Sequence, residues 1–359
     1  MGTYILRRIL MAIPVLIGIL IVTFIIAHAI PGDPCTAALG ERATPAACEA
    51  FFERKGLDQP VHIQLAIYMK DILRGDLGES IRFKRPVSTL LIERLPVTLE
   101  LGLAGLTIAA LIGIPLGVIS AINRNSVVDV GTMVWANIGV SMPVYWLGLM
   151  LAYIFALKLK GTAFWLPPSG RLTAGVIPTP FFEIWGWAIT EGSMGETFVE
   201  FVSNFVLFNS LITGQWEVFK DGLTHLILPA LALSTIPMAI IARITRSSML
   251  ETLGQDYIRT ARAKGVREWM VITKHALRNA LLPIVTIIGL QVGVLFAGAV
   301  LTESIFGLSG VGRALFDAIT GRDFPVIQGF TVIVAIGYVL INLITDISYA
   351  FIDPRIELK

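Results

Sequence analysis

The chain has 359 residues, of which 55% are apolar and 15% charged, and its mean hydropathy is +0.76. A soluble domain carries roughly 25% charged residues, so this composition excludes an ordinary water-soluble fold and places the chain in a bilayer. The formal charge of +2 decides nothing, because the side of the membrane on which each charge lies matters more than the sum.

Arg7 and Arg8 precede an apolar run from Ile9 to Ile30 that is long enough to cross the roughly 30 Å hydrocarbon core. Residues 1–30 therefore read as a first span. Ala27-His28-Ala29 imitates a signal-peptide cleavage site, but the run exceeds the roughly 7 to 15 residues of a secretory h-region, so the span stays uncleaved. His28 reads as an interfacial side chain rather than a ligand. Residues 31–94 are polar, with charges of both signs, and suit an extracytoplasmic loop with short helices. Cys35 and Cys48 there read either as a disulfide, which an oxidising exterior permits, or as two unpaired thiols. No Cys or His cluster with ligand spacing surrounds them, so no metal site is expected.

A second span is predicted from about Val97 to Ala121 and a third from Val130 to Ala156. Gly113 and Gly117 make a small-xxx-small face where another helix can approach closely. Asn123 to Ser126 form a cytoplasmic turn. Glu100 is either a mark of the translocation path or a structural charge, and its place about a turn from the interface favours the second. The segment 157–222 is ambiguous, because Phe198 to Ile212 is a shorter apolar stretch broken by Glu200, Asn204 and Asn209. Eight cations against three acids from Arg243 to Arg278 require that later stretch to be cytoplasmic, so by parity 157–222 is an outer insertion with an interfacial helix. A fourth span, Leu223 to Ile244, contains Pro229 and Pro237.

Next comes YIRTARAKGVREWMVITKHALRNALLP, Tyr257 to Pro283, the densest positive run of the chain. It has the layout of two short helices joined at Gly265, where a C-terminal cap needs the left-handed backbone that side chains resist. After the turn, Val266, Trp269, Met270, Thr273 and Leu277 recur at helical spacing and predict one mostly apolar stripe.

A fifth span, Leu281 to Leu301, carries Gly289, Gly293 and Ala297 at four-residue spacing, and Gln291 on the opposite flank reads as facing either a pore or a buried hydrogen bond. FGLSGVGRAL, from Phe306, lacks the Gly-Lys-Ser/Thr ending of a Walker A loop, so phosphate binding is not expected there. Glu303 just before it either meets substrate or pairs with Arg313 or Arg322. The sixth span, Val326 to Ile352, holds Asn342 and Asp346 on one face, and Asp346 reads as a packing or salt-bridge residue. Arg355 and Lys359 follow in a short tail, residues 353–359. The reading is an all-α polytopic membrane protein of six transmembrane helices, with both termini cytoplasmic. No nucleophile, base or metal cluster is present to catalyse a reaction, so no catalytic residue is expected.

ARAKG (Ala261 to Gly265) followed by HALRNALLP (His275 to Pro283) resembles the cytoplasmic coupling motif of permease subunits in binding-protein-dependent ABC importers. RSSMLETLGQDYIRTARAKG from Arg246, IPGDP, GDLGES from Gly75, RLPVTLELG from Arg94, HLILPAL from His225, RDFPVIQG from Arg322 and DPRI from Asp353 narrow the likeness to the dipeptide, oligopeptide and nickel permeases. Ser309 stands where that family commonly has proline. The resemblance implies a type I ABC importer permease fold over residues 95–352, with a coupling motif in 251–283 that fits a separate ATPase. It assigns coupling to Tyr257, Arg259, Ala261, Arg262, Ala263, Lys264, Gly265, Val266, His275, Arg278, Asn279, Leu282 and Pro283. Gln291, Glu303 and Asn342 are candidates for the translocation path. Implied partners are a homologous permease subunit, two ATP-binding subunits carrying ATP and Mg, an extracytoplasmic substrate-binding protein and membrane lipid. No cofactor in this chain and no nucleic acid are expected. Short peptides are the favoured cargo, with nickel or another small solute as the alternative. An ion-coupled secondary transporter is the competing class, against which stand the absence of a detectable internal repeat and acids that lie toward the interfaces. A membrane scaffold or sensor that transports nothing is the third.

Overall fold

The computed structural model describes residues 2–29, 34–40, 43–187, 189 and 193–352. In chain order its helices are α1 (Gly2–Ala29), α2 (Pro34–Leu39), α3 (Pro45–Lys55), α4 (Val61–Leu73), α5 (Val87–Ile122), α6 (Val127–Ser141) and α7 (Val144–Ala152), which continues through a π-helical turn, Tyr153–Lys158. After these come α8 (Phe181–Ile184), α9 (Met194–Ser203), α10 (Val206–Thr213), α11 (Trp216–Leu253) and α12 (Asp256–Ala263). The short α13 (Glu268–Met270), a π-helical stretch (Val271–Leu277) and α14 (Arg278–Ile305) follow without interruption, and α15 (Val311–Thr320) and α16 (Phe324–Ile352) end the series. The expected DPRI motif, Arg355 and Lys359 lie outside the described residues, as does most of IPGDP.

Among the described residues five helical stretches are long and apolar enough to cross a membrane, or six if the broken pair α6–α7 counts as one span. The expected third span is thus not one straight rod. Its two halves meet at 98° because Pro143 lacks an N–H and drives the preceding residue out of the helical region. Met142 is accordingly extended, at φ −92° and ψ 131°. The second and fourth spans are longer than their apolar cores. Helix α5 starts at Val87 rather than Val97, and α11 runs from Trp216 to Leu253 with Pro229 and Pro237 both inside it.

The chain divides into two compact units, the first comprising Met1–Thr98, Thr179–Phe205 and Ser309–Leu340. Its core packs Val87, Leu90 and Leu91 of α5 against Val311, Ala314 and Ala318 of α15 and Val326, Ile327 and Phe330 of α16. Outside this core, Cys35 and Cys48 form a disulfide with Cα atoms 5.4 Å apart, which decides between the two readings of that pair. Thr44 caps α3 by accepting from the Ala47 N–H at 3.3 Å, and Gly56 closes it at φ +67°. His28 is structural, its Nδ1 2.9 Å from the Phe24 carbonyl and its Nε2 2.9 Å from the Gln64 side chain. Asp323, 1% exposed, fixes the end of the GDLGES segment: it accepts from Ser80 Oγ at 2.5 Å and from the N–H groups of Ile81 and Arg82 at 3.1 Å each.

The second unit, Leu99–Pro178, Val206–Leu308 and Ile341–Lys359, is built around α11, against which α5, α6, α7, α10 and α14 pack. Gly113 and Gly117 make the close approach their spacing predicts. A Cβ added at Gly113 would lie 2.7 Å from the Met238 carbonyl oxygen, and one at Gly117 2.5 Å from that of Ala242. Glu100 is held structurally, accepting from Arg171 at 2.7 Å and from the Leu207 N–H at 2.8 Å. The 157–222 segment is tied down again where Asp221 accepts from the Thr173 N–H at 2.7 Å and its hydroxyl at 2.6 Å. The single interfacial helix expected over Phe198–Ile212 is instead the pair α9 and α10, separated at Asn204 and Phe205.

Candidate functional site

Helix α12 begins with Asp256 in its first turn, where an acid complements the helix dipole, and it buries only Ile258 and Ala261. Its end is a Schellman cap. Gly265 N–H donates to the Arg262 carbonyl at 2.9 Å and Val266 N–H to that of Ala261 at 3.2 Å, with Gly265 at φ +72°. The apolar contact that accompanies this cap is present, since Val266 packs on the cluster that holds Ala261. Across the turn Arg262 grips Glu268 with two bonds, Nη2 to Oε1 at 2.6 Å and Nε to Oε2 at 3.1 Å. The elbow is thereby held by a cap and a buried seat, with the exposed Arg262–Glu268 fork adding little.

The second arm departs from the sequence expectation in two ways. It is not a short helix, because α13, the π-helical stretch and α14 run on as one rod into the fifth span. Nor is its apolar stripe the predicted one: Val266 and Leu277 pack inward, but Trp269 is 73% exposed and Met270 42%. Val271, Ile272 and Ala276 are buried in their place. The π-helical stretch pairs residues five apart instead of four, so a face counted at 3.6 residues per turn falls out of phase. Residues Ile258, Val271, Ile272 and Ala276 carry the seat, and only their apolar character marks them in the sequence.

Of the thirteen coupling candidates, Ala261 is buried, and Val266, His275 and Leu282 are half-buried. Tyr257, Arg259, Arg262, Ala263, Lys264, Gly265, Arg278, Asn279 and Pro283 are exposed. With Arg267, Lys274 and Trp269 they make the stretch from the end of α11 into the start of α14 rich in exposed cations and aromatic side chains. Such a surface can bind a polar or acidic cleft and transmit a push.

The path candidates are less united. Gln291 is 4% exposed and its Oε1 has no hydrogen-bond partner among the described residues, while Glu303 is fully buried near the end of α14. Asn342 is half-buried on α16, and the side chains of Ala297 and Asp346 lie outside the described residues. None of Gln291, Glu303 and Asn342 lines the cavity of about 230 Å³ in the first unit, which is bounded by Phe24, His28, Tyr68, Asp71, Phe324 and Gln328. Burial pushes the Tyr68 hydroxyl at that cavity up to about 12.

A helical fold with five or six membrane-length helices among the described residues and a polar elbow between two of them defines a polytopic membrane protein. Residues 113–358 match the family profile described as binding-protein-dependent transport system inner membrane component, and residues 1–102 match the profile of its N-terminal region. The chain belongs to this family, which has the type I ABC permease fold and resides in the inner membrane. It is 46% identical over 357 residues to the dipeptide transport system permease protein DppB of Alkalihalophilus pseudofirmus, covering 99% of this chain and all of that one. It is 43% identical to the protein of the same name from Escherichia coli, with 99% of both chains covered. The oligopeptide transport system permease protein AppB of Bacillus subtilis is 40% identical, with 99% of this chain and all of that one covered.

Proposed function

We propose that this chain is the permease subunit of an ATP-driven importer that moves short peptides into the cytoplasm. The observation that carries the reading is the capped cationic elbow, Tyr257 to Pro283, joined by continuous helix to the fifth span and through Gly254 to the fourth. The names of the similar proteins support peptides as cargo. In this reading the elbow faces the cytoplasm with both termini, and ATP and Mg bind two separate ATP-binding subunits. A second, homologous permease chain completes the membrane path, and an extracytoplasmic binding protein delivers the peptide. Gln291, Glu303 and Asn342 belong to the path, and this chain itself carries no cofactor and performs no chemistry.

The mechanism follows from stiffness. A protrusion held by its cap and buried seat resists bending, so a motion imposed on α12 passes to the rods attached to it. Gly265→Val tests this, because the left-handed backbone strains a β-branched residue although nothing lies within 4 Å of the added Cβ. In proteoliposomes holding the assembled complex, ATP hydrolysis persists in the variant while uptake of a dipeptide falls. Unchanged uptake sinks the coupling role. Labelling of the elbow by an impermeant reagent applied outside intact cells sinks the orientation.

A further inference from the structure

Three helices of the second unit meet just above the elbow. Asp129, in the first turn of α6 with its side chain 5% exposed, receives both arms of the Arg246 guanidinium, Nε to Oδ1 at 2.8 Å and Nη2 to Oδ2 at 2.7 Å. Ser120 Oγ, near the end of α5, donates to Oδ1, and the Asn125 N–H in the turn between α5 and α6 donates to Oδ2 at 2.9 Å. Each carboxylate oxygen is thus doubly filled, by donors drawn from α5, the turn and α11. Arg246 stands seven residues before the end of α11, about 10 Å of helix from the turn into α12.

The surroundings make the same joint. Above the pair, the glycine contacts of α5 on α11 are backbone against backbone, and Gly139 of α6 would place a Cβ 2.9 Å from the Thr235 Cβ. Below it, Ala121 of α5 shares one buried cluster with Met249 of α11, Ile258 and Ala261 of α12, and Val271, Ile272 and Ala276. Helices α11 and α14 follow the elbow because the chain joins them to it. The α5–α6 hairpin has no such link.

We infer that the Asp129–Arg246 pair is a positioning bolt that makes the α5–α6 hairpin travel with α11 and the elbow as one body. The inference rests on the elbow being the point where the ATPase acts. A bidentate fork fixes both separation and angle between the helices that carry it, which apolar contact alone does not. Parting the two would strand a carboxylate in a buried site, so the hairpin is carried along rather than left behind.

The test uses the complete complex in proteoliposomes and measures ATP hydrolysed per peptide accumulated. Arg246→Ala raises that ratio about ten-fold, the scale of a moderate coupling energy. Arg246→Lys keeps the charge without the planar fork and gives an intermediate ratio. Asp323→Asn, a structural change in the other unit, lowers the yield of complex and leaves the ratio as in the wild type. A wild-type ratio in Arg246→Ala, or an equal rise in Asp323→Asn, overturns the bolt. Where Arg246→Ala does not assemble, a crosslink decides. In Gly105→Cys with Leu233→Cys the Cβ atoms stand 3.6 Å apart, within the range of a disulfide. The oxidised form of this double variant keeps the ATP hydrolysis that the loaded binding protein stimulates. Loss on oxidation with recovery on reduction shows that α5 and α11 separate in the cycle and overturns the inference. A wild-type complex that hydrolyses ATP but accumulates no peptide refutes the cargo alone, because the crosslink is scored on hydrolysis.

Discussion

Asp323 and Asp129 are both buried acids, 1% and 4% exposed, and each accepts a serine hydroxyl and at least one backbone N–H. The difference lies in the last donor. Asp323 collects a hydroxyl and two N–H groups from one short stretch, Ser80 to Arg82, and so fixes the shape of a loop. Asp129 adds a guanidinium from another spanning helix and so fixes one rod against another. A carboxylate held by local dipoles sets conformation, whereas one held by a distant cation sets how helices move together.

The largest effect that separates the two is expected at the Asp129–Arg246 pair. Asp129→Ala leaves the Arg246 guanidinium without its counter-charge and destabilises the chain by about 4 kcal/mol. Asp129→Asn does nearly the same, since the missing quantity is charge. At the other acid, Asp323→Ala strands a hydroxyl and two N–H groups for a loss of about 3 kcal/mol, but Asp323→Asn keeps an acceptor and loses about 1 kcal/mol. Thermal unfolding of the detergent-solubilised protein ranks all four variants. Equal losses for Asn at the two sites would erase the distinction between dipole-held and cation-held acids.

Neither acid was legible as a site in the sequence, and the reason is distance along the chain. Ser80 and Asp323 are 243 residues apart, and Asp129 and Arg246 are 117 apart, so no local pattern records either pairing. A weak signal did exist for Asp129: Ser126-Val127-Val128-Asp129 has the spacing of a helix N-terminus, and Ser126 Oγ accepts from the Asp129 N–H at 3.2 Å. What the sequence does carry is chemistry that acts within a few residues. Gly265 is legible because a left-handed cap needs glycine, and Gly113 and Gly117 because four-residue spacing puts them on one face. Pro143 held the same kind of information about the break in the third span, masked by the apolar run on both sides. The buried face of the second elbow arm was not legible at all, because a π-helical stretch changes the period by which faces are counted.

The smallest expected effect isolates burial from geometry. Arg85 and Glu93 form a fork much like that of Arg246 and Asp129, with Nη2 to Oε1 at 2.5 Å and Nη1 to Oε2 at 3.2 Å. Their side chains are 46% and 43% exposed, however, against 29% and 5% for Arg246 and Asp129. Water screens the exposed charges and solvates whichever one is left behind, so the stranded-charge penalty that dominates at Asp129 has no counterpart here. Arg85→Ala is therefore expected to lower stability by about 0.5 kcal/mol, and molar salt to shrink even that difference. A loss as large as that of Asp129→Ala in the same unfolding assay would mean that fork geometry, rather than exclusion of water, gives the Asp129–Arg246 pair its strength.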